Sequence, residues 1–496
     1  MSDDSSPPSL GKAALWATAA KWFDVAGSAI AFLILARMLG PETFGLYGVI
    51  LLAALIPETL VGGALGEALI QKRDLEEAHA SGVFWLQTAI AALMAALLTF
   101  FAPQIGAVFE RDLVQLLPVF ACALLPLAMS AAPAALLQRQ FRFGSMAAVD
   151  AASSLCAGAV GVVLALNGVG VWALVWMEIA RRCVRLVGFM LAARWLPSFA
   201  VKLRHVLELW RFSAATLATR IVSQTDNAIP RLFLGLVDVT ALGYFSLAQR
   251  IFQQSSALIL APFNALALPM SAHLQQQADK LRKMLEDATR LAALICYPLF
   301  VGGAAIAPVA VPLLFGAAWT QAVPAVQIML LLGVRAATAS FNGAVLRGVG
   351  LPGQHLLIVA AGALVLLLVA PLAAQWGITA MAAAVLLRSL LTWAIGAALV
   401  QRAIGYPARK QVLVGWQSLI AASGAAVLVL WLQALFAGAL NAWLLLAVLV
   451  ASGAGAHLLA LALLSPQTAK GLLDLVLMRL NGRARPLASA ERPTGS

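Results

Sequence analysis

About fourteen apolar runs, each long enough to cross a bilayer, leave this chain little choice of fold. A hydrocarbon core about 30 Å thick asks for roughly 20 apolar residues per helix. Runs of that length lie at 13–36, 44–65, 83–104, 113–136, 146–167 and 170–193, then at 213–234, 241–262, 291–315, 322–346, 354–375, 377–400, 412–435 and 443–464. In lipid the backbone must satisfy its own hydrogen bonds within each run, so each is predicted to be a helix. Of 496 residues, 62% are hydrophobic and 11% charged, with a mean hydropathy of +0.92. That is more apolar surface than one soluble core could hide. The expected class is an all-α integral membrane protein.

An even number of crossings puts both termini on one side, and the positive-inside rule says which. With the N-terminus cytoplasmic, that side receives Lys12, Lys72, Arg73, Arg139, Arg142, the cluster from Arg181 to Arg211, Lys280, Arg282, Lys283, Arg290, Arg347, Arg402, Arg409, Lys410 and the basic tail. The opposite side receives Arg37, Arg111 and Arg231. The net charge of +12 is therefore a topology signal. No basic, aromatic-interleaved module argues for nucleic acid. The stretch Met1 to Ser9 lacks the positive segment and cleavage site of a secretory signal, so the first run is expected to be a retained span. Cys122, Cys156, Cys183 and Cys296 sit inside apolar runs without CxxC spacing and are expected to be small buried hydrophobes, neither disulfides nor metal ligands.

The chain also repeats. Ile34 to Tyr47 ends one run, turns through Gly40-Pro41 and starts the next. A partial copy returns as Arg231-Leu232-Phe233-Leu234-Gly235 followed by Leu242-Gly243-Tyr244-Phe245. Pro57, Gln71 and Asp74 are echoed by Pro262, Gln276 and Asp279; Ala102-Pro103 before Phe109 by Ala307-Pro308 before Phe315; Pro118 and Arg139 by Pro324 and Arg347; and Gly170 by Gly377. The order is kept, so helices one to six correspond to helices seven to twelve, with the last two appended. Each half crosses an even number of times, which makes a parallel repeat whose lobes can enclose a site and rock about it. The expected division is an N-lobe with its basic connector at 1–212, a C-lobe at 213–402, and two extra helices with a basic tail at 403–496.

Charges inside the spans mark candidate chemistry. They are Lys21 and Asp24 in the first helix, Glu58 in the second, Glu178 in the sixth, Arg220 and Asp226 in the seventh, Arg250 in the eighth, Arg335 in the tenth and Arg388 in the twelfth. The five basic ones would together cost roughly 12 to 18 kcal/mol facing lipid, so they are expected to face protein or a wet cavity. Lys21 and Asp24 share a helical face and could satisfy each other as well as a substrate. Arg220 lies near a helix end and could snorkel out. Arg250, Arg335 and Arg388 sit deeper, where they line a cavity or pair with Asp226, Glu58 or Glu178. Glu178 with Arg181, Arg182 and Arg185 reads as a cytoplasmic topology anchor. Arg37 and Arg231 read as caps on helix-end carbonyls, and His457 as structural. A lumen with surplus guanidinium groups suits an anion, such as phosphate, pyrophosphate or an acidic sugar.

The string at 35–47, the loop Gly62-Gly63-Ala64-Leu65-Gly66 with Ala68-Leu69-Ile70-Gln71, Phe84-Trp85-Leu86, Gly170-Val171-Trp172-Ala173-Leu174-Val175, Asp226-Asn227 before Leu234-Gly235, and Leu242 to Arg250 together resemble the bacterial polysaccharide transporter family. Its Wzx-type and colanic-acid-type exporters belong to the multidrug, oligosaccharidyl-lipid and polysaccharide exporter superfamily. The resemblance implies a fold of two six-helix lobes plus two helices in a bacterial inner membrane. It also implies flipping of an undecaprenyl-pyrophosphate-linked oligosaccharide to the periplasmic leaflet for exopolysaccharide, capsule or O-antigen assembly. Asp226 and Arg250 fall on polar positions typical of the family's seventh and eighth helices, while Gln249 stands where an aromatic is common.

The expected mechanism is alternating access, with Lys21, Arg220, Arg250, Arg335 and Arg388 as substrate-binding candidates. Asp24, Glu58, Glu178 and Asp226 are candidates for coupling to a proton or sodium gradient. There is no GxxxxGK[ST] motif, so ATP hydrolysis, a cofactor or a metal is not expected of this chain. Besides the lipid-linked oligosaccharide, membrane lipids and polysaccharide polymerase machinery are candidate partners. Two alternatives stand beside this reading. A multidrug exporter of the same superfamily would prefer an acidic, aromatic lumen, and a glycan polymerase or ligase would need a sizeable loop bearing catalytic acids, His or Arg.

Overall fold

The computed structural model of the chain describes residues 10–62, 64–71, 76–110, 112–199, 221 and 224–466. Regular structure among them is helix throughout. The first element, α1 (Leu10–Val61), is two arms joined at Gly40, where φ is 75° and ψ 173°. A positive φ of this kind is open to glycine, and Pro41 behind it cannot donate to the preceding turn. The Gly-Pro turn expected from sequence is this bend.

The first half continues through α2 (Ala64–Gln71), α3 (Glu77–Phe100), α4 (Ala102–Val108), α5 (Leu113–Ala121), α6 (Leu124–Arg139), α7 (Phe143–Leu166) and α8 (Trp172–Ala193). The second half holds α9 (224–237), α10 (Val239–His273), α11 (Ala278–Phe315), a 3-10 turn (Ala317–Ala322), α12 (Val323–Gly348), α13 (Pro352–Gln375) and α14 (Ile378–Ile404). The short α15 (Ala408–Leu413) then leads to α16 (Trp416–Phe436) and α17 (Ala442–Leu464). Among the described residues, ten stretches are long and apolar enough to cross a membrane, one of which, Gly27–Ile70, contains the bend. The chain is a multi-pass membrane protein. The sixth apolar run is helical as α8, but Glu178, Arg181, Arg182 and Arg185 make it too charged to stand among the ten.

Within the first half, α7 packs on α1 and α8, and α6 on α3 and α8. Within the second, α12 runs between α10, α11 and α14, while α16 and α17 pack on each other and on α11. The halves meet where α1 lies along α10. The expected boundary at 212 and 213 lies outside the described residues, as do most of the basic connector and the tail from 467.

At the Gly40 end the halves are clasped. A Cβ on Gly45 would stand 1.9 Å from the Val239 carbonyl oxygen, and one on Gly243 would stand 1.9 Å from that of Pro41. These glycines are counterparts in the sequence repeat, and they make the same close approach in opposite directions, so neither position has room for a side chain. Trp319, fully buried, donates from Nε1 to the Ala36 carbonyl at 2.8 Å and stands edge-on to Phe44 and Tyr244. Phe32 meets Phe44 and Phe315 in the same way. Such aromatic pairs contribute about 0.5–1.5 kcal/mol each beyond their burial. Arg37 caps carbonyls, as expected, but those of α11 in the other half: its Nη1 donates to Leu313 at 2.9 Å.

One expectation fails. Cys122, Cys156 and Cys183 are exposed, and only Cys296 is buried. A membrane helix can turn a thiol toward lipid as readily as toward protein, so an apolar run does not by itself predict burial in the fold.

Candidate functional site

The site begins with polar residues in an otherwise apolar helix. Ser246, Gln249, Arg250, Gln253 and Gln254 recur on α10 at three- and four-residue steps, so they share one face. That face meets Phe32 on the first arm of α1, Phe44, Tyr47, Gly48 and Leu51 on the second, and Arg231 on α9. Between them lies a cavity of about 380 Å³, just inside the clasp and walled by both halves.

The Arg250 guanidinium lies 4.1 Å from the centre of the Phe32 ring, and its Nε is buried without a hydrogen-bond partner. A desolvated cation over an aromatic face gains about 2 kcal/mol, which holds the fork in place without neutralising it. Arg231 donates its Nε to the Asn227 carbonyl at 3.2 Å. The Ser246 hydroxyl is likewise buried and unpartnered. Among the described residues the cavity lining holds two arginines, three glutamines and a serine, and no acid. Guanidinium forks match phosphate oxygens; the amides, hydroxyl and aromatic walls match sugar hydroxyls and ring faces.

The other candidates lie elsewhere. Arg388 on α14 is ion-paired with Asp226 on α9. Arg335 on α12 reaches Thr392 Oγ1 at 3.4 Å, and one nitrogen each of Arg335 and Arg388 remains buried and unpartnered. In the first half Arg182 joins two acids: Nη2 donates to Glu58, and Nε donates to Glu178 Oε1 at 2.6 Å. Arg182 also lies over the Phe120 ring, while Arg181 grips Glu178 with two nitrogens at 2.6 and 3.0 Å. Glu178 and Arg182 have side chains only 5% and 7% exposed, so the centre of this cluster is a buried tie between α8 and the second arm of α1. Its two glutamates give the second guanidinium a reason to turn inward.

Lys21 and Asp24 fall on the first arm of α1, in a stretch whose side chains lie outside the described residues, and Arg220 is itself outside them. Of the expected basic residues, Arg250 lines the cavity between the halves. Arg335 and Arg388 stand together within the second half. The cavity residues not anticipated are Arg231, Ser246, Gln253 and Gln254. The polar face of α10 was a signal for three of them; Arg231 was concealed by its resemblance to Arg37.

A second, apolar cavity of about 660 Å³ opens between α10, α11 and α12 on one side and α16 and α17 on the other. Pro298, Gly302, Ala422 and Gly453 line it, with His457 buried at its wall.

These features define the class: a multi-pass membrane protein with the fold of the superfamily of multidrug, oligosaccharidyl-lipid and polysaccharide exporters. A lipid II flippase, MurJ, in an inward closed conformation superposes with a TM-score of 0.74, covering 90% of this chain and 98% of that one at 14% identity. An inward-facing MATE family multidrug transporter gives 0.57, covering 81% and 96% at 15% identity. Within that fold the chain belongs to the polysaccharide biosynthesis protein family, whose profile matches residues 34–324. It is 29% identical over 305 residues to the succinoglycan biosynthesis transport protein ExoT of Rhizobium meliloti, covering 60% of this chain and 61% of that protein. It is 22% identical over 329 residues to the lipopolysaccharide biosynthesis protein WzxC of Escherichia coli, covering 65% and 66%. The matched stretches thus span about three fifths to two thirds of these relatives.

Proposed function

We propose that this protein is a flippase that carries a polyprenyl-pyrophosphate-linked oligosaccharide from the cytoplasmic to the periplasmic leaflet of a bacterial inner membrane. The observation that carries the reading is the cavity between the halves, free of acids among the described residues, with Arg250 and Arg231 in its wall. Diphosphate oxygens meet the guanidinium forks, the first sugars meet Gln249, Gln253 and Gln254, and the prenyl chain stays in an apolar environment. The transport-protein relatives and the MurJ-like fold support the same reading.

Transport is by alternating access between an N-lobe at 1–212 and a C-lobe at 213–402, with the segment at 403–496 appended and both termini cytoplasmic. The clasp at Gly40, Gly45 and Gly243 then seals the periplasmic end while the substrate head is loaded. Opening it separates Arg37 and Trp319 from their carbonyl partners and releases the head outward. The chain acts as a carrier and makes or breaks no covalent bond.

Proteoliposomes test this directly. With a fluorescent polyprenyl-pyrophosphate oligosaccharide in both leaflets, the protein is expected to make the inner pool accessible to an impermeant quencher, and Arg250→Ala is expected to remove that activity. Scrambling no faster than in empty vesicles, under either a proton or a sodium gradient, contradicts the proposal.

A further inference from the structure

The α11, α16 and α17 seam has a polar mouth that the transport reading does not use. It is a cavity of about 620 Å³, at the end of the fold carrying Arg282, Arg290 and Arg402, between the start of α11, the α14–α15 loop, α15 and the start of α16. Among the described residues Arg290, Arg409 and Lys410 line it, against one acid, Glu286. Arg290 donates Nη2 to Glu286 at 2.9 Å, so that pair is neutral and Arg409 and Lys410 remain as surplus charge.

The scaffold beneath these cations is fixed. Gln411 donates from Nε2 to the carbonyls of Ala397 and Tyr406, at 3.2 and 2.9 Å, and the Ala408 N–H donates to Gln401 at 2.8 Å. Arg282 bonds the Ile404 carbonyl at 2.6 Å and holds the start of α11 to the end of α14. The Tyr406 hydroxyl, buried beside Glu286, lines the mouth. Burial first, and then the charge and hydrogen bond of Glu286, push this phenol up to about 12, so it stays protonated at neutral pH.

The surroundings are those of a bilayer interface. Val412, Leu413 and Trp416 are exposed beside the basic pair on α15. Cations on a short helix with apolar neighbours and a tryptophan at its edge sit at headgroup level. One helical turn deeper, Leu294, Ser418 and Leu461 give way to Pro298, Ala422 and His457, where the seam widens into the apolar cavity of about 660 Å³. A phosphate at the mouth can therefore belong to a molecule whose chain lies along the same seam.

We infer that the mouth formed by Arg290, Arg409, Lys410 and Tyr406 is a binding site for the phosphate headgroup of a lipid, separate from the cavity at Arg250. Two lipids present that chemistry, an anionic phospholipid of the bilayer and a polyprenyl phosphate. The site requires a membrane-embedded chain and does not depend on what is transported.

The test uses the full-length protein in nanodiscs or detergent, with native mass spectrometry and thermal unfolding as readouts. Phosphatidylglycerol, undecaprenyl phosphate, phosphatidylcholine and inorganic phosphate are compared as probes. Selective retention of phosphatidylglycerol assigns the site to bilayer lipid; selective retention of undecaprenyl phosphate assigns it to the carrier lipid. In either case the double variant R409A/K410A should weaken binding about thirtyfold, the effect of removing two interfacial cations. The charge-preserving R409K/K410R should retain it, which separates lost charge from lost folding. Retention as strong in R409A/K410A as in the wild type overturns the inference. So does equal retention of phosphatidylcholine, or stabilisation by inorganic phosphate equal to that by either lipid.

Discussion

Arg250 carries its charge against the face of Phe32 rather than against an acid, which separates it from Arg182 and Arg388, each ion-paired with a carboxylate. A guanidinium committed to a carboxylate has little left for a substrate, whereas one over an aromatic ring keeps its donors and most of its field. Arg250→Ala is expected to abolish polymer export while leaving the amount of protein in the membrane unchanged. Arg250→Lys should retain a minor part, because an ammonium lacks the fork. Export assays with membrane quantification check both; full export by Arg250→Ala removes the residue from the mechanism. Arg388 and Asp226 call for a different outcome. Removing one partner of a buried pair leaves the other uncompensated, at a cost of about 3–5 kcal/mol. Asp226→Ala alone should lower the unfolding temperature more than the D226N/R388Q double variant, as thermal unfolding in detergent would show.

At the scale of the element, the bend of α1 was legible in sequence, since Gly40-Pro41 permits no continuous helix, whereas of the polar face of α10 only Gln249 and Arg250 were singled out, although glutamine seldom recurs in an apolar run without reason. The pairing of Arg388 with Asp226 was among the alternatives the charges allowed. Nothing in either segment chose it, because partner choice depends on how α9 and α14 are rotated about their own axes. The same rotation hid Arg231, which shares a sequence context with Arg37. Arg37 reaches across to α11; Arg231 bonds its own helix and faces the cavity. The burial of Arg182 was missed for a related reason, because a basic cluster after a span carries the pattern of a topology anchor whichever way its members turn. The glycines of the clasp yield a prediction here. Gly45→Val or Gly243→Val places carbon where a carbonyl oxygen stands, so the α1–α10 approach cannot form. Such variants should insert normally, and an Ala36→Cys probe in them should react several times faster with impermeant thiol reagents. Unchanged labelling argues against this contact as the closed gate.

Across the whole molecule, the repeat gives the fold its logic. Two related helix sets meet through corresponding glycines, close one end with an aromatic cluster, and keep a basic cavity directly beneath. Holding that end shut by a reducible bifunctional thiol reagent that bridges cysteines placed at Ala36 and Trp319 should stop export, and reduction of the linker should release it. Export that continues while the linker is in place contradicts alternating access through this gate.

The central claim is the transfer of a lipid-linked oligosaccharide between leaflets, and it is tested most directly by locating that precursor in a host from which the protein has been removed. Access to a periplasmic glycan-modifying enzyme reports the leaflet. The account predicts intact precursor accumulating where the enzyme cannot reach it, with access restored by the wild-type protein and not by Arg250→Ala. Precursor that reaches the periplasmic face at the normal rate without the protein would contradict it.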